Sequence, residues 1–280
     1  MSNQYQYLKL LLRNILLLDL DEYILTDTRE YGLVCSFLSM KLASVFQPVL
    51  RPDGKVVGRE ALLRTGLLEN GEMTPDGAFE EAEQANRLVQ FDRLVRIIHL
   101  MNHASSFAEH ELLFLNVHPH LLGSVNDHGR TFEKILHFYS IPTSHVVIEF
   151  KEMPNREEDV LATAVSNYRS LGYRIAVDDF GGAHSSLDGV LKLCPDIVKL
   201  DGELIKAAGL SRSASDSLAQ LVKRFHKAGI QVAVKNIETR EQLGAARNAG
   251  ADLLQGNHLR SPELVSEARG RFCRNERLAA

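Results

Sequence analysis

Residues 173–201 read YRIAVDDFGGAHSSLDGVLKLCPDIVKLD, and this stretch decides the fold. It opens on a short apolar run at 173–177, closes on a second at 197–200, and carries a helical segment at 185–192 between them. Strand, helix, strand is the βα unit of a parallel sheet. Outward from here the alternation repeats. Strands are predicted at 45–50, 56–63, 112–117, 146–150, 230–234 and near 252–254, with helices at 79–104, 131–139, 157–171, 214–228 and 241–249. Gly172, Gly229 and Gly250 follow the ends of three of these helices, where a residue that accepts a left-handed backbone is needed. About eight strands with crossing helices point to an α/β fold, a (β/α)8 TIM-like barrel. An open doubly wound sheet is disfavoured because no glycine-rich dinucleotide turn follows the first strand. The predicted organisation is an N-terminal helical extension at 1–44, the barrel at 45–270 and a C-terminal tail at 271–280.

Composition bounds the functions available. The 280 residues are 45% hydrophobic and 24% charged, which excludes a disordered or collagen-like chain. A net charge of −4 sets up no field that would gather a nucleic acid polymer. Cys35, Cys194 and Cys273 are odd in number and widely spaced, so neither a disulfide framework nor a zinc knuckle is supported, and a reducing cytoplasm is expected. Residues 8–20 are apolar but interrupted by Lys9, Arg13, Asn14 and Asp19. They are too short and too charged for a transmembrane segment and are predicted as an amphipathic helix.

The strand ends are unusually acidic. Glu60 sits late in the second strand, Asn116 ends the third, Glu149 the fourth, Asp178 with Asp179 follow the fifth, Lys199 with Asp201 close the sixth, Lys235 with Glu238 the seventh, and Gln255 the last. In barrels of this kind the C-terminal strand ends converge on one mouth. Two like charges ~4 Å apart cost about 4 kcal/mol at an effective dielectric of ~20, so six gathered carboxylates imply a cation. An all-oxygen set with one Asn carbonyl suits Mg2+ or Mn2+ rather than zinc. Such ions neutralise phosphate-ester oxygens and activate water. A competing reading of Lys199 as a Schiff-base lysine is disfavoured, since surrounding carboxylates raise a lysine pKa. His118-Pro119-His120 reads as a loop rather than a metal pair, and Arg269, Arg271, Arg274 and Arg277 as a solvated helix face.

These residues resemble the EAL domain family, bacterial phosphodiesterases that linearise cyclic di-GMP. The resemblance runs over 46–262. It is carried by Gln47-Pro48, Glu60-Ala61-Leu62-Leu63-Arg64, Asn116, Glu149 with Glu152, Asp178-Asp179-Phe180-Gly181, Ser185-Ser186-Leu187, Lys199-Leu200-Asp201, Glu238-Thr239 and Gln255-Gly256. It implies Glu60, Asn116, Glu149 and Asp178 as ligands of a first metal, and Asp178 with Asp179 as ligands of a second. Lys199, Asp179 and Glu238 form the implied catalytic group, with Lys199 at the reacting water. Arg64 is implied to hold a ligand phosphate, a task suited to a planar bidentate donor. Leu62, Asp201 and Gln255 line the ligand side. The implied reaction attacks one phosphodiester of cyclic di-GMP with metal-activated water and leaves linear pGpG. Relatives pair through helices beside the Asp178-Asp179 loop, which leaves a homodimer and a regulatory protein partner open.

One departure bears on everything else. Residues 232–239 read VAVKNIET, so Lys235 stands where the family usually has an acidic residue that helps hold the second metal. A protonated ammonium cannot ligate a metal or act as a base. The expected result is a one-metal or metal-free site, hence a slow enzyme or a regulator that binds without turnover. The Gly181-Gly182-Ala183-His184 loop, Asn257 and Arg260 also depart from the family pattern.

Overall fold

The computed structural model describes residue 13 and residues 22–67, 72–108, 110–124, 129–151, 158–182 and 185–268. The expected helix at 8–20 lies outside these apart from Arg13, which is helical and exposed. His184, Glu152, the C-terminal arginines and the tail at 271–280 also lie outside the described residues.

The strands are β1 (Tyr23–Thr28), β2 (Gly32–Phe37), β3 (Met40–Leu50), β4 (Val56–Leu67), β5 (Glu72–Met73), β6 (Leu112–Asn116), β7 (Val146–Lys151), β8 (Arg174–Phe180), β9 (Ile197–Leu200), β10 (Gln231–Val234) and β11 (Leu253–Leu254). The order is β1-β2-β3-β11-β10-β9-β8-β7-β6-β4-β5, and β3 also pairs with β4, which closes the eight strands from β3 round to β4 into a barrel. The chain forms two compact units, 1–46 with 61–109 and 263–280, and 47–60 with 110–262.

The second unit is the α/β barrel. Its strands β4, β6, β7, β8, β9, β10 and β11 run parallel in succession, whereas β3 is antiparallel to β11 through Leu50 and Leu254. The expected all-parallel ring therefore has one reversed strand. Only residues 51–55 join β3 to β4, far fewer than the dozen a parallel crossover needs. They close a tight turn in which Arg51 N–H donates to the Lys55 carbonyl, with Gly54 at φ +87°.

Val49, Leu112, Phe114, Val147, Ala176, Ile197, Ala233 and Leu253 pack together inside the ring. A second core, including Val177, Val198, Leu200, Val222, Phe225, Val232 and Val234, seats helices such as Gly202–Leu210 and Arg212–Lys227 on the outside. Neighbouring strand residues point to opposite faces, so the two clusters interleave along each strand. A Cβ at Gly58 would sit 2.4 Å from the Leu112 carbonyl and 2.9 Å from the Phe114 ring, so only glycine fits beside β6 there.

In the first unit the expected helical extension is corrected. The described residues at 22–44 are β-structure, a β1–β2 hairpin followed by the start of β3. The alternating burial of β1, in which Tyr23 and Leu25 are buried and Ile24 and Thr26 exposed, is the period-2 pattern of an edge strand. The expected long helix at 79–104 is two, Pro75–Gln84 and Leu88–Ala104, broken where Asn86 takes φ +56°. Thr74 and Pro75 set the first start, with the Thr74 hydroxyl accepting from Gly77 N–H. Asn102 from the second helix completes β2, accepting from Leu33 N–H at 2.7 Å and donating to its carbonyl at 2.8 Å.

His99 is buried in this unit, with Nδ1 2.8 Å from Ser44 Oγ. Burial, and then the Arg96 charge, push its pKa from 6.5 down to about 3. The folded value lies below the unfolded one, so protonation favours unfolding. Stability from this group is complete above about pH 6.5 and falls with acidification, by roughly 3 kcal/mol at pH 4. Urea unfolding of His99→Asn is expected to show a shallower loss of stability between pH 7 and pH 4 than wild type; parallel slopes would contradict the assignment.

Candidate functional site

The same alternation that fills the barrel also builds its mouth. Phe114 precedes Asn116 by two residues, Val147 precedes Glu149, Ala176 precedes Asp178, Ile197 precedes Lys199, Ala233 precedes Lys235, and Leu253 precedes Gln255. Residues two apart share a face, so each strand contributes an apolar side chain to the interior and then a polar one just above it. Glu60 follows Gly58 in the same way on β4.

Lys199 is the centre of the cluster. It is 1% exposed, and Nζ lies 2.7 Å from Glu60 Oε2 and 2.8 and 3.0 Å from the two oxygens of Glu149. Glu60 also accepts from Asn116 Nδ2 at 3.0 Å and from Gln255 Nε2 at 2.9 Å. Gln255 continues outward to Gln47, whose amide faces Asn257 Oδ1 and the Arg260 carbonyl, each at 3.4 Å. Gly256 makes this turn feasible, since a Cβ there would stand 2.2 Å from the Ile237 carbonyl oxygen.

One ammonium cannot neutralise two buried carboxylates, and the pair divides accordingly. Burial works against ionised Glu60, but Lys199 and its other donors outweigh it and hold the group at about 2. Glu149 is pushed well above the ordinary glutamate range, by burial and then by the Glu60 charge, with Asp178 adding to it. Burial likewise disfavours the Lys199 cation, yet Glu149, Glu60 and Asp178 raise its pKa well above the usual lysine value. Lys199 is therefore a fixed cation and not the neutral amine a Schiff-base mechanism requires.

The second pairing stands beside the first. β8 and β9 shift register between Val177 and Phe180, and within this irregularity Asp179 takes φ +59°. The shift lets two successive aspartates reach one partner, where a regular strand would send them to opposite faces. Lys235 Nζ lies 2.8 Å from Asp178 Oδ1 and is also paired with Asp179. Burial opposes the Lys235 cation, but the two aspartates outweigh it and raise its pKa. Lys151 Nζ stands 3.9 Å from Asp179 on the solvent side. Lys151 did not stand out in the sequence, although its position two residues past Glu149 places it on the same strand face.

The predicted site residues thus fall into groups. Glu60, Asn116, Glu149, Lys199 and Gln255 form one hydrogen-bonded network, and Asp178, Asp179 and Lys235 an adjoining one. Asp201 caps the helix Gly202–Leu210, its carboxylate accepting from Glu203 N–H at 2.7 Å. Glu238 is exposed, and its backbone N–H donates to Gln242 beside the capping box of the helix Arg240–Ala249. Leu62 and Arg64 belong to the first unit, where Arg64 is exposed. His118 and His120 stack edge to face, 5.1 Å between centroids, in the turn after β6.

With the ammoniums standing in the gaps, no three His, Cys, Asp or Glu side chains among the described residues form a ready-made metal cage. The donor chemistry nevertheless fits a hard divalent ion. Glu60, Glu149, Asp178 and the Asn116 carbonyl are all-oxygen ligands. Asp178 Oδ1 is buried and lacks an aligned hydrogen bond despite the nearby ammonium. Among the described residues, no helix is long and apolar enough to cross a membrane.

A model of the EAL domain matches residues 36–262. An uncharacterized protein of Mycobacterium tuberculosis is 29% identical over 229 residues, covering 76% of this chain and 73% of its own length. The uncharacterized EAL-domain containing protein YkuI of Bacillus subtilis is 32% identical over 227 residues, with 75% of this chain and 52% of YkuI covered. A YkuI structure in complex with cyclic di-GMP and calcium superposes with a TM-score of 0.66 at 25% identity, covering 85% of this chain and 62% of that one. The bifunctional diguanylate cyclase/cyclic di-GMP phosphodiesterase MucR of Pseudomonas aeruginosa is 27% identical over 228 residues, 78% of this chain but 32% of MucR. The MucR phosphodiesterase in complex with cyclic di-GMP gives a TM-score of 0.71 at 22% identity, covering 81% and 93% of the two chains, and supports the fold.

Replacing Lys199 by methionine is expected to destabilise the protein by ~3–5 kcal/mol, because it leaves two buried carboxylates with no countercharge. Chemical denaturation at pH 8 reads the change, and a loss under 1 kcal/mol would show that Lys199 does not hold the cluster together.

Proposed function

Because the chain belongs to the EAL domain family, we propose that it is a cyclic di-GMP signalling protein whose barrel mouth binds cyclic di-GMP with Mg2+ or Mn2+ and hydrolyses it slowly to pGpG. The observation that carries this reading is the Glu60–Asn116–Glu149–Lys199 network, built from four strand ends and flanked by Asp178 and Asp179. A bound divalent ion would neutralise phosphodiester oxygens and acidify a water. The chain's own part is to fix the geometry. Asn116 and Gln255 orient Glu60, Lys199 holds Glu60 and Glu149 apart from solvent, and the Lys199 ammonium stays charged beside the reacting phosphate. Arg64, Leu62, Asp201 and Glu238 keep their expected ligand-side and catalytic roles on the strength of their motifs alone. Action in the cytoplasm, as the cysteine pattern suggests, and a homodimer belong to the same proposal.

A second reading is favoured by one observation, the pairing of Lys235 with both Asp178 and Asp179. That pairing removes a base and occupies ligand oxygens, which suits a regulator that holds cyclic di-GMP or a protein partner without turnover. Calorimetric titration of cyclic di-GMP with Ca2+, beside an Mg2+ or Mn2+ hydrolysis assay, separates the two. Binding with product supports the enzyme, binding without product the regulator, and no binding overturns both nucleotide readings. Loss of a base or ligand commonly costs ~100 to 10,000-fold in rate. Lys235→Glu is accordingly expected to raise hydrolysis at least ~100-fold, and wild-type turnover equal to the variant's would refute the slow-enzyme reading.

A further inference from the structure

The four carboxyl groups at the barrel mouth fall into two pairs, Glu60 with Glu149 around Lys199 and Asp178 with Asp179 around Lys235. Geometry separates the two pairs. Lys235 is shared between Asp178 and Asp179, and Lys151 adds a weaker, exposed contact to Asp179, so that side is nearly neutral. On the other side Lys199 alone faces Glu60 and Glu149, both buried, with the amides of Asn116 and Gln255 as further partners of Glu60. A carboxylate offers about four lone-pair positions. Glu149 uses two of these on Lys199, which leaves oxygen positions for a metal.

We propose that the mouth takes a single divalent cation, bounded by Glu60, Asn116, Glu149 and Asp178, and that the Lys235 ammonium is the built-in second cation that withholds Asp179 from metal ligation. The proposal rests on the reading that this mouth is a divalent-ion site, and deepens it by fixing the stoichiometry and the residue that sets it. Lys235 is suited to the role because its stem is half-buried and its charge is fixed from below by β10, directly after Val234. A fixed cation neutralises the aspartates but supplies neither an open coordination position nor an acidified water. The prior neutralisation also keeps a second ion out by plain repulsion, since a dication and an ammonium a few ångströms apart repel strongly at any protein-like dielectric.

The test counts ions without nucleotide and without turnover. Full-length protein is titrated with Mn2+, and free aqueous Mn2+ is followed by electron paramagnetic resonance at matched ionic strength. Wild type is expected to bind one Mn2+ and Lys235→Glu two. Two ions on wild type, none on wild type, or a single ion on folded Lys235→Glu would each overturn the proposal. Lys235→Met, which keeps the apolar stem, supplies an independent arm should Lys235→Glu fail to fold by circular dichroism. It should bind its first Mn2+ at least ~10-fold more tightly than wild type, and unchanged affinity overturns the proposal. Cyclic di-GMP calorimetry on the same samples keeps the outcomes apart. Nucleotide binding with the wrong ion count rejects the stoichiometry alone, whereas a correct count without nucleotide binding rejects the ligand.

Discussion

A lysine ammonium buried between two glutamates is the constraint around which this barrel mouth is organised. Lys199 is almost fully enclosed, and the cost of desolvating it is offset only because Glu60 and Glu149 lie within 3.0 Å. The arrangement is asymmetric, since two buried anions share one cation. The amides of Asn116 and Gln255 complete Glu60, while burial and the Glu60 charge push Glu149 well above the ordinary glutamate range. A cluster of this kind contributes little to stability for its own sake, because well-packed apolar side chains would do as well. It is better understood as a pre-organised set of oxygens held at the cost of folding energy.

The neighbouring trio of Asp178, Asp179 and Lys235 follows another logic. There the carboxylates outnumber the ammonium too, but the site is shallower, with Asp179 partly in solvent and Lys151 approaching from outside. The register shift in β8 is what makes the trio possible, by turning two consecutive side chains toward one partner. Membership of the EAL family and the occupation of these aspartates by an internal cation are compatible observations. The family scaffold is retained, and Lys235 sets a positive charge beside the paired aspartates.

Period-2 alternation explains why core and chemistry are so closely tied. Strands β6 to β11 each place an apolar residue inside and a polar site residue two positions on, so a one-residue register slip would remove both together. The same parity made the site legible in advance: Glu60, Asn116, Glu149, Asp178, Lys199 and Gln255 lie in or just past their strands, and the structure brings all of them to one mouth. Lys151 is not legible in this way, since nothing in its local sequence distinguishes it from an ordinary exposed lysine until Asp179 is placed beside it. Asp201 and Glu238 show the opposite case, acidic residues at strand ends that a helix cap and the solvent take up. The described β-structure at 22–44 was missed for a related reason, because a short hairpin carries a weaker periodic signal than the leucine-rich run before it.

The sequence by itself determined the alternation of strand and helix, the closed α/β ring and the identity of the polar residues at its mouth, because side-chain periodicity and glycine stops are local properties. The reversed β3 was also within its reach, since five residues between strands cannot make a crossover. Only the tertiary structure decided which charges neutralise one another. Lys199 meets Glu60 across 139 positions and Lys235 meets Asp179 across 56, and electrostatic pairing over such separations depends on ring closure and on a strand irregularity that no local pattern encodes.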